Sequence, residues 1–235
     1  MLARLLAPVV CLLALATVGH SRGDGPVLPG PKASAWASWT IGSWVVYDID
    51  NSTPARVSVK QALLAVDEDS FRTRDETTLE TGSSKAESQI SLASFGYPHA
   101  HPKAQLVATE VVSVQGKAYE CQVWRARYSE EGTQWDAIAW VSPEVEQPLR
   151  IRVQGKHELA LDVDKLEDFV SIGQRKFRCV RYAGSVTSDA GRSTIAQWRS
   201  AALPGALVRS VTTSEKDGKK SVFTMQVREF RGTKL

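Results

Sequence analysis

Histidine and cysteine are scarce in this chain: four and three among 235 residues. A metal site takes three or four such ligands or carboxylates. His99 and His101 would point the same way from an extended segment, but no acid or cysteine is near them in sequence, and His157 is the other histidine beyond residue 21. No metal or other cofactor is expected, and FGYPHAHP, Phe95 to Pro102, reads as a solvated loop held between prolines. A set of nucleophile, base and orienting acid is lacking too. Gly19-His20-Ser21-Arg22-Gly23 has the Gly-x-Ser-x-Gly spacing. A nucleophile elbow, however, needs a strand before it and a helix after it, and this string closes an apolar leader. Asp48, Asp50 and Asp136 have no assignable catalytic partner, and Asp67-Glu68-Asp69 reads as a turn. The chain is therefore read as not an enzyme.

Charge of one sign is missing as well, the formal net charge being +3. Residues 22–148 carry 11 basic and 17 acidic groups, residues 149–235 carry 17 and 9; the expectation is that the two halves attract each other across the fold, the alternative being a basic half that meets an anionic surface, lipid headgroup or polysaccharide. RKFRCVRY, Arg175 to Tyr182, alternates cations with aromatics as single-strand binders do. In a strand, though, Phe177 and Cys179 turn to one side and Arg178 to the other, and no nucleic-acid partner is expected.

Long apolar runs are absent after residue 18. The one present, Leu5 to Val18, is 14 residues long, against about 20 for a spanning helix. Arg4 before it and small residues around Thr17, Gly19 and Ser21 after it give it the form of an export signal. Cys11 lacks the small preceding residue that lipidation requires. The expected organisation is a signal peptide over 1–21, a Pro/Gly-rich linker over 22–35 and a single β domain over 36–235. No transmembrane segment is expected in the mature chain, which is placed in the periplasm or outside the cell.

What the sequence does have is a repeat. Tyr119 and Cys121 recur as Phe177 and Cys179, Trp140 and Ser142 as Trp198 and Ser200, and Leu149 and Val153 as Leu207 and Val211, all at an offset of 58 residues. An offset this constant marks an internal duplication, spanning about 111–166 and 168–231, with a charged insertion after Thr213 in the second copy. Cys121 and Cys179 are even in number and exported, which permits a disulfide. Equivalent residues meet only near the axis relating two copies, so the alternative is two separate buried thiols.

No helical period persists, and Val, Thr and aromatic residues alternate between short turns, the pattern of an antiparallel meander. Strands are expected over 43–50, 56–66, 70–80, 105–115, 118–128, 133–142, 149–154, 158–166, 168–172, 176–184, 193–199, 206–213 and 220–230. A turn is expected over 82–85, a strand or short helix over 87–94, and a short helix over 34–39 capped by Ser34. Alternation turns Tyr119, Cys121, Val123, Ile138, Trp140, Ile151 and Leu161 to an apolar face, with Phe177, Cys179, Ala196, Trp198, Met225 and Val227 in the second copy. Arg150, Arg152 and Arg178 face water.

The string W-x-x-G-S-W-V-x-Y at Trp39 to Tyr47, the G-K-x-Y-x-C strand at Gly116 to Cys121 and the W-x-S before a Leu-Val strand at Trp198 to Val208 resemble a group of uncharacterised exported bacterial proteins. These are similar in turn to the lipoprotein-carrier (Lol-type) superfamily. The resemblance implies a mainly β fold: a strongly curved antiparallel sheet, an open half-barrel built from meander repeats, with one or two short helices. Two readings of function follow. In one, a non-enzymatic envelope protein binds a lipid or other apolar ligand on its concave face, lined by Trp44, Trp140 and Trp198 and covered by Trp36 and Trp39. In the other, it is a structural or protein-interaction module with a fully packed core and an envelope protein as partner.

Overall fold

Alternating β-branched and aromatic residues between short turns give thirteen strands and almost no helix among the described residues. The structure, a computed structural model, describes residues 36, 38–51, 56–67, 70–91, 98–130, 132–145, 147–189, 191–216 and 218–235. The signal peptide, the linker, the Gly19 to Gly23 string and residues 95–97 lie outside the described residues. In chain order the strands are β1 (Trp44–Asp50), β2 (Val57–Val66), β3 (Ser70–Leu79), β4 (Gly82–Ser91), β5 (Gln105–Val114), β6 (Lys117–Glu130) and β7 (Thr133–Val141). They continue as β8 (Arg150–Gln154), β9 (Glu158–Ile172), β10 (Arg175–Ser188), β11 (Gly191–Arg199), β12 (Leu207–Lys216) and β13 (Lys219–Arg231).

Three expectations are corrected. The turn expected over 82–85 is already strand, because two residues, Glu80 and Thr81, suffice to reverse the chain. The two strands expected on either side of residue 167 are one continuous β9 that serves both copies of the repeat. Where a helix was expected over 34–39, the described residues Trp36 and Ser38 lie in a turn and Trp39 bridges to Lys234. The helical content among the described residues is one 3-10 turn, Pro98–Ala100.

All thirteen strands lie in one antiparallel sheet, ordered β4-β3-β2-β1-β13-β12-β11-β10-β9-β8-β7-β6-β5. The topology itself requires curvature. Thirteen strands laid flat span about 58 Å between the edges. The link from Ser91 on one edge to Gln105 on the other has 14 steps, at most about 50 Å, and must also travel the length of a strand. The sheet therefore curls, as the half-barrel expectation holds. It does not close. β1 pairs antiparallel with β13, and following the alternation outward from that pair leaves β4 and β5 running in the same direction. Bringing the two edges together would need a parallel pair in an otherwise antiparallel sheet.

The interior is filled from two sides of the repeat. One core gathers Val112, Tyr119, Cys121, Trp135, Leu149, Ile151, Leu161 and Tyr182. The other gathers the equivalents Val170, Phe177 and Cys179 with Val208, Met225 and Val227, and adds Trp36, Tyr47, Leu63 and Phe71 from the first four strands and the segment before them. The disulfide permitted by the sequence is not formed. Both thiols are free and buried, one in each core, and each donates to the carbonyl two residues back, Tyr119 at 3.6 Å and Phe177 at 3.5 Å. Repeat symmetry separates them rather than pairing them.

The face assignment is right for β8 and β9 and wrong for β7 and β11, while β6 buries residues of both sides: Tyr119 and Cys121 share the side of Val123 and its cross-strand partner Trp140, and Ala126 and Tyr128 share the side of Ala137 and Trp135. Trp135, Ala137 and Ala139 point into the core, which puts Ile138 and Trp140 on the opposite side. In β11 Ile195 is inward and Trp198 is not. Small alanines face inward because the core is tight there, and burial of a tryptophan is no guide to which side it takes. A register shift at Trp198/Arg199 also displaces β12 by one residue, so that Trp198 pairs with Arg209 where Trp140 pairs with Arg150. Val208 is consequently the buried counterpart of Leu149, in place of Leu207.

Two variants test this packing. A Cβ at Gly184 would lie 1.8 Å from the Ala160 carbonyl oxygen, backbone that cannot yield, so Gly184→Ala is expected to lower stability by at least about 2–3 kcal/mol in denaturant melts. Asp75 lies opposite Gln61 in the β2–β3 ladder. Burial pushes its carboxyl up to about 6, and the Gln61 and Thr73 side chains beside it offset only part of this rise. A raised carboxyl means that the folded state holds a proton the unfolded chain has released. Stability on this account falls as pH rises from about 4 to about 6 and stays lowered above. Asp75→Asn should raise stability at pH 7 by about 2–3 kcal/mol and flatten that slope; a variant no more stable than the parent at pH 7 would contradict the assignment.

Candidate functional site

The most constructed feature outside the cores is a unit that occurs twice. β6 pairs with β7 only from Gln122 onward, and β10 with β11 only from Val180 onward. Residues 117–121 and 175–179 therefore have a neighbour on one side alone and form, with β5 and the end of β9, two hairpin arms that extend past the rest of the sheet. A tryptophan ties each arm back. Trp140 on β7 reaches over β6 and donates its indole N–H to Glu110 Oε2 on β5 at 2.8 Å. Trp198 on β11 reaches over β10 to Asp168 Oδ2 on β9 at 2.9 Å. Glu110 and Asp168 are themselves 58 residues apart and stand opposite Cys121 and Cys179 in the ladders. An arginine covers each indole, Arg150 at 5.3 Å and Arg209 at 5.4 Å from the ring centroid.

Around these units the same side of the sheet carries a ladder of paired charges. Arg125 and Arg127 bind Asp136, Arg150 and Arg152 bind Asp162 at 2.6 and 2.7 Å, and Arg181 binds Asp164 and, at 3.8 Å, Asp168. The Arg125 guanidinium, backed by Arg127, holds Asp136 below the ordinary carboxylate range. The Trp198 indole does the same for Asp168. Burial moves the thiols the other way, Cys179 to about 11 and Cys121 also upward. Acids locked ionised against arginines and thiols locked protonated are poor proton carriers and poor nucleophiles.

The tryptophans expected at a ligand site, Trp44, Trp140 and Trp198 as its lining and Trp36 and Trp39 as its cover, do not surround one surface. Trp36 and Trp39 are buried in the second core, with the Trp36 ring against Gly205 and 6.4 Å from Phe71. Trp44 takes the opposite side of β1 from Val45 and Tyr47, under the Lys60 ammonium at 4.7 Å. Trp140 and Trp198 are half-buried, each in its own pinned unit. The best-formed hollow among the described residues is open and shallow, about 350 Å³, and is bordered by Arg127, Gln134, Trp135, Asp136, Gln154 and Gly155.

His99 and His101 are buried rather than solvated. His101 stacks on Tyr128 at 5.4 Å, and Tyr128 stacks on Trp135 at 6.4 Å, so the 3-10 turn docks on β6 and β7. Burial lowers His99 to about 4. No group of three metal-binding side chains occurs among the described residues, and no described helix is long and apolar enough to cross a membrane.

No model of a known protein family matches the chain, and no curated protein matches it. Solved structures do. A protein from Bacteroides fragilis described as exported, with a YmcC-like fold, matches with a TM-score of 0.37 and 7% identity over 82% of this chain and 96% of that one. A protein from Parabacteroides distasonis described as a lipoprotein matches with a TM-score of 0.41 and 9% identity over 84% and 98%. The hypothetical lipoprotein YmcC from Escherichia coli matches with a TM-score of 0.33 and 10% identity over 79% and 84%. None of the three is described as a lipoprotein carrier.

The pinned units make a direct prediction. Trp198→Phe keeps a ring and removes the donor, and should cost about 1.5–3 kcal/mol, the range for a hydrogen bond to a charged group. Trp140→Phe should cost less, about 0.5–1 kcal/mol, because its bond to Glu110 is exposed. In Trp198→Phe the Asp168 carboxyl should titrate closer to the ordinary range by NMR. A depressed acid stabilises the fold above its ordinary pKa and loses that contribution as pH falls through the folded value, so the variant should also lose less stability on acidification than the parent.

Proposed function

We propose that this chain is a non-enzymatic, exported protein of the bacterial envelope that acts by contact with another protein, as a packed structural or interaction module. The observation that carries this reading is where Trp36 and Trp39 lie. As a ligand cover they would stand over an open concave surface; both instead fill the core. The hollow of about 350 Å³ is open, whereas a site for an apolar ligand encloses most of that ligand's surface. The arginine-locked acids and protonated thiols support a role without catalysis, and the Leu5 to Val18 run supports export to the periplasm or beyond.

Carriage of a lipid or other apolar ligand is the reading this one displaces. Native mass spectrometry of the protein purified from its own host decides between them. A mass equal to the bare polypeptide is expected; a stoichiometric lipid mass that survives gentle desolvation would overturn the contact reading.

A further inference from the structure

The two pinned units are closed differently. In the first copy Arg150, stacked on the Trp140 ring, stands opposite Asp162 in the β8–β9 ladder and donates its Nε–H to Oδ1 at 2.6 Å. Arg152 donates to Oδ2 of the same carboxylate at 2.7 Å. In the second copy Arg209, stacked on the Trp198 ring, stands opposite Gln226 in the β12–β13 ladder. Val211, which pairs with Ala196, takes the place of Arg152, which pairs with Ile138. An amide thus stands where the first copy has a carboxylate. The Arg209 Nε–H, the very donor that Asp162 satisfies on Arg150, is buried with no acceptor among the described residues. Other acids on this side are taken. Asp48, opposite Gln226 on β1, accepts from Arg228 at 3.0 Å, and Asp164 and Asp168 are held by Arg181 and the Trp198 indole.

We infer that the second pinned unit is a carboxylate-binding site, which takes an Asp or Glu side chain of the partner protein against Arg209 as Arg150 takes Asp162. The inference rests on the contact reading above and names the chemistry of that contact. A guanidinium donor withdrawn from water and left without an acceptor is costly. The acceptor that suits it is planar and anionic, and the first copy holds the template, a carboxylate on the same nitrogen. The site is also built before anything binds. The Trp198 ring under the guanidinium is pinned to Asp168, so less ordering remains to be done on association. Arg209 and Gln226 are half-buried, within reach of a side chain from outside. With Val211 in place of Arg152 a single guanidinium makes the contact. A bare carboxylate therefore binds weakly, and the surrounding surface of the partner supplies the rest of the affinity.

Acetate, the carboxylate alone, tests the site by NMR on the intact mature chain, read at the arginine Nε and tryptophan indole nitrogens. It is raised to about 0.3 M against sodium chloride of equal ionic strength, because one charge-assisted contact holds a small anion only weakly. The Arg209 Nε and Trp198 indole signals should shift with acetate and not with chloride, while Arg150 stays still. Asp162→Asn, which gives the first copy the amide of the second, should make Arg150 respond. Gln226→Asp, which gives the second copy the acid of the first, should abolish the response of Arg209. An Arg209 signal that ignores acetate, or that moves equally with chloride, would overturn the inference. So would an equal response from wild-type Arg150, an unresponsive Arg150 in Asp162→Asn, or a response that survives Gln226→Asp. The titration involves neither lipid nor partner, so the site and the contact reading fail separately.

Discussion

Each half of the molecule depends on an indole that crosses one strand to reach a carboxylate on the next. A two-stranded ribbon with no neighbour on its other side is marginal in water, and both hairpin arms are ribbons of this kind beyond Gln122 and Val180. Two things hold them: burial of Val112, Tyr119 and Cys121 in one case and Val170, Phe177 and Cys179 in the other, and the tie from Trp140 or Trp198. The tie fixes a spacing. The acid, the cysteine opposite it on the next strand and the tryptophan beyond must keep their intervals or the indole no longer reaches. That is a physical reason for a duplicated chain to retain these residues while its turns and outer charges diverge.

How much of this could be read from the residues varies from element to element. Twelve of the strands stand where the alternation put them, give or take a few residues, because period-two patterning between turns is a local signal. The side taken by Trp140 is not local. β7 carries Trp135 and Trp140 five residues apart, on opposite sides, and only the neighbouring alanines, inward because the core is tight there, say which is buried. The partners Glu110 and Asp168 were hidden for a related reason: the repeat is plain in its apolar residues, and an acid at the same offset means nothing until the strand order places it beside the indole. The one-residue displacement of β12 is a bulge, which a pattern of alternation cannot anticipate. The pairing of β1 with β13 was not legible at all, being a contact between strands nearly 180 residues apart.

The carboxylates divide by environment, not by position in the sequence. Asp136 and Asp168 sit on the ladder side, where guanidinium and indole donors keep them charged. Asp75 sits between strands among Gln61, Thr73 and Tyr47, where burial raises its own carboxyl and, through its charge, adds to the rise of the Tyr47 phenol. The opposite net charges of the two halves find expression in local ladders more than in attraction at a distance. Asp48 and Arg228, at 3.0 Å across the β1–β13 seam, form an exposed pair that does join the halves, and exposed pairs contribute little.

That seam governs the order in which the molecule can assemble. β1 needs β13 as its neighbour, so β1 to β4 must wait during synthesis, as a four-stranded sheet with an unpaired side, while β5 to β13 emerge. During that interval the exposed side of β1 includes Val45, Tyr47 and Ile49, all buried at the end, and such a surface aggregates unless something shields it. A chain whose fold is a simple meander in space is thus, in time, one of its slowest forms: its longest-range contact is the one that lets the rest settle.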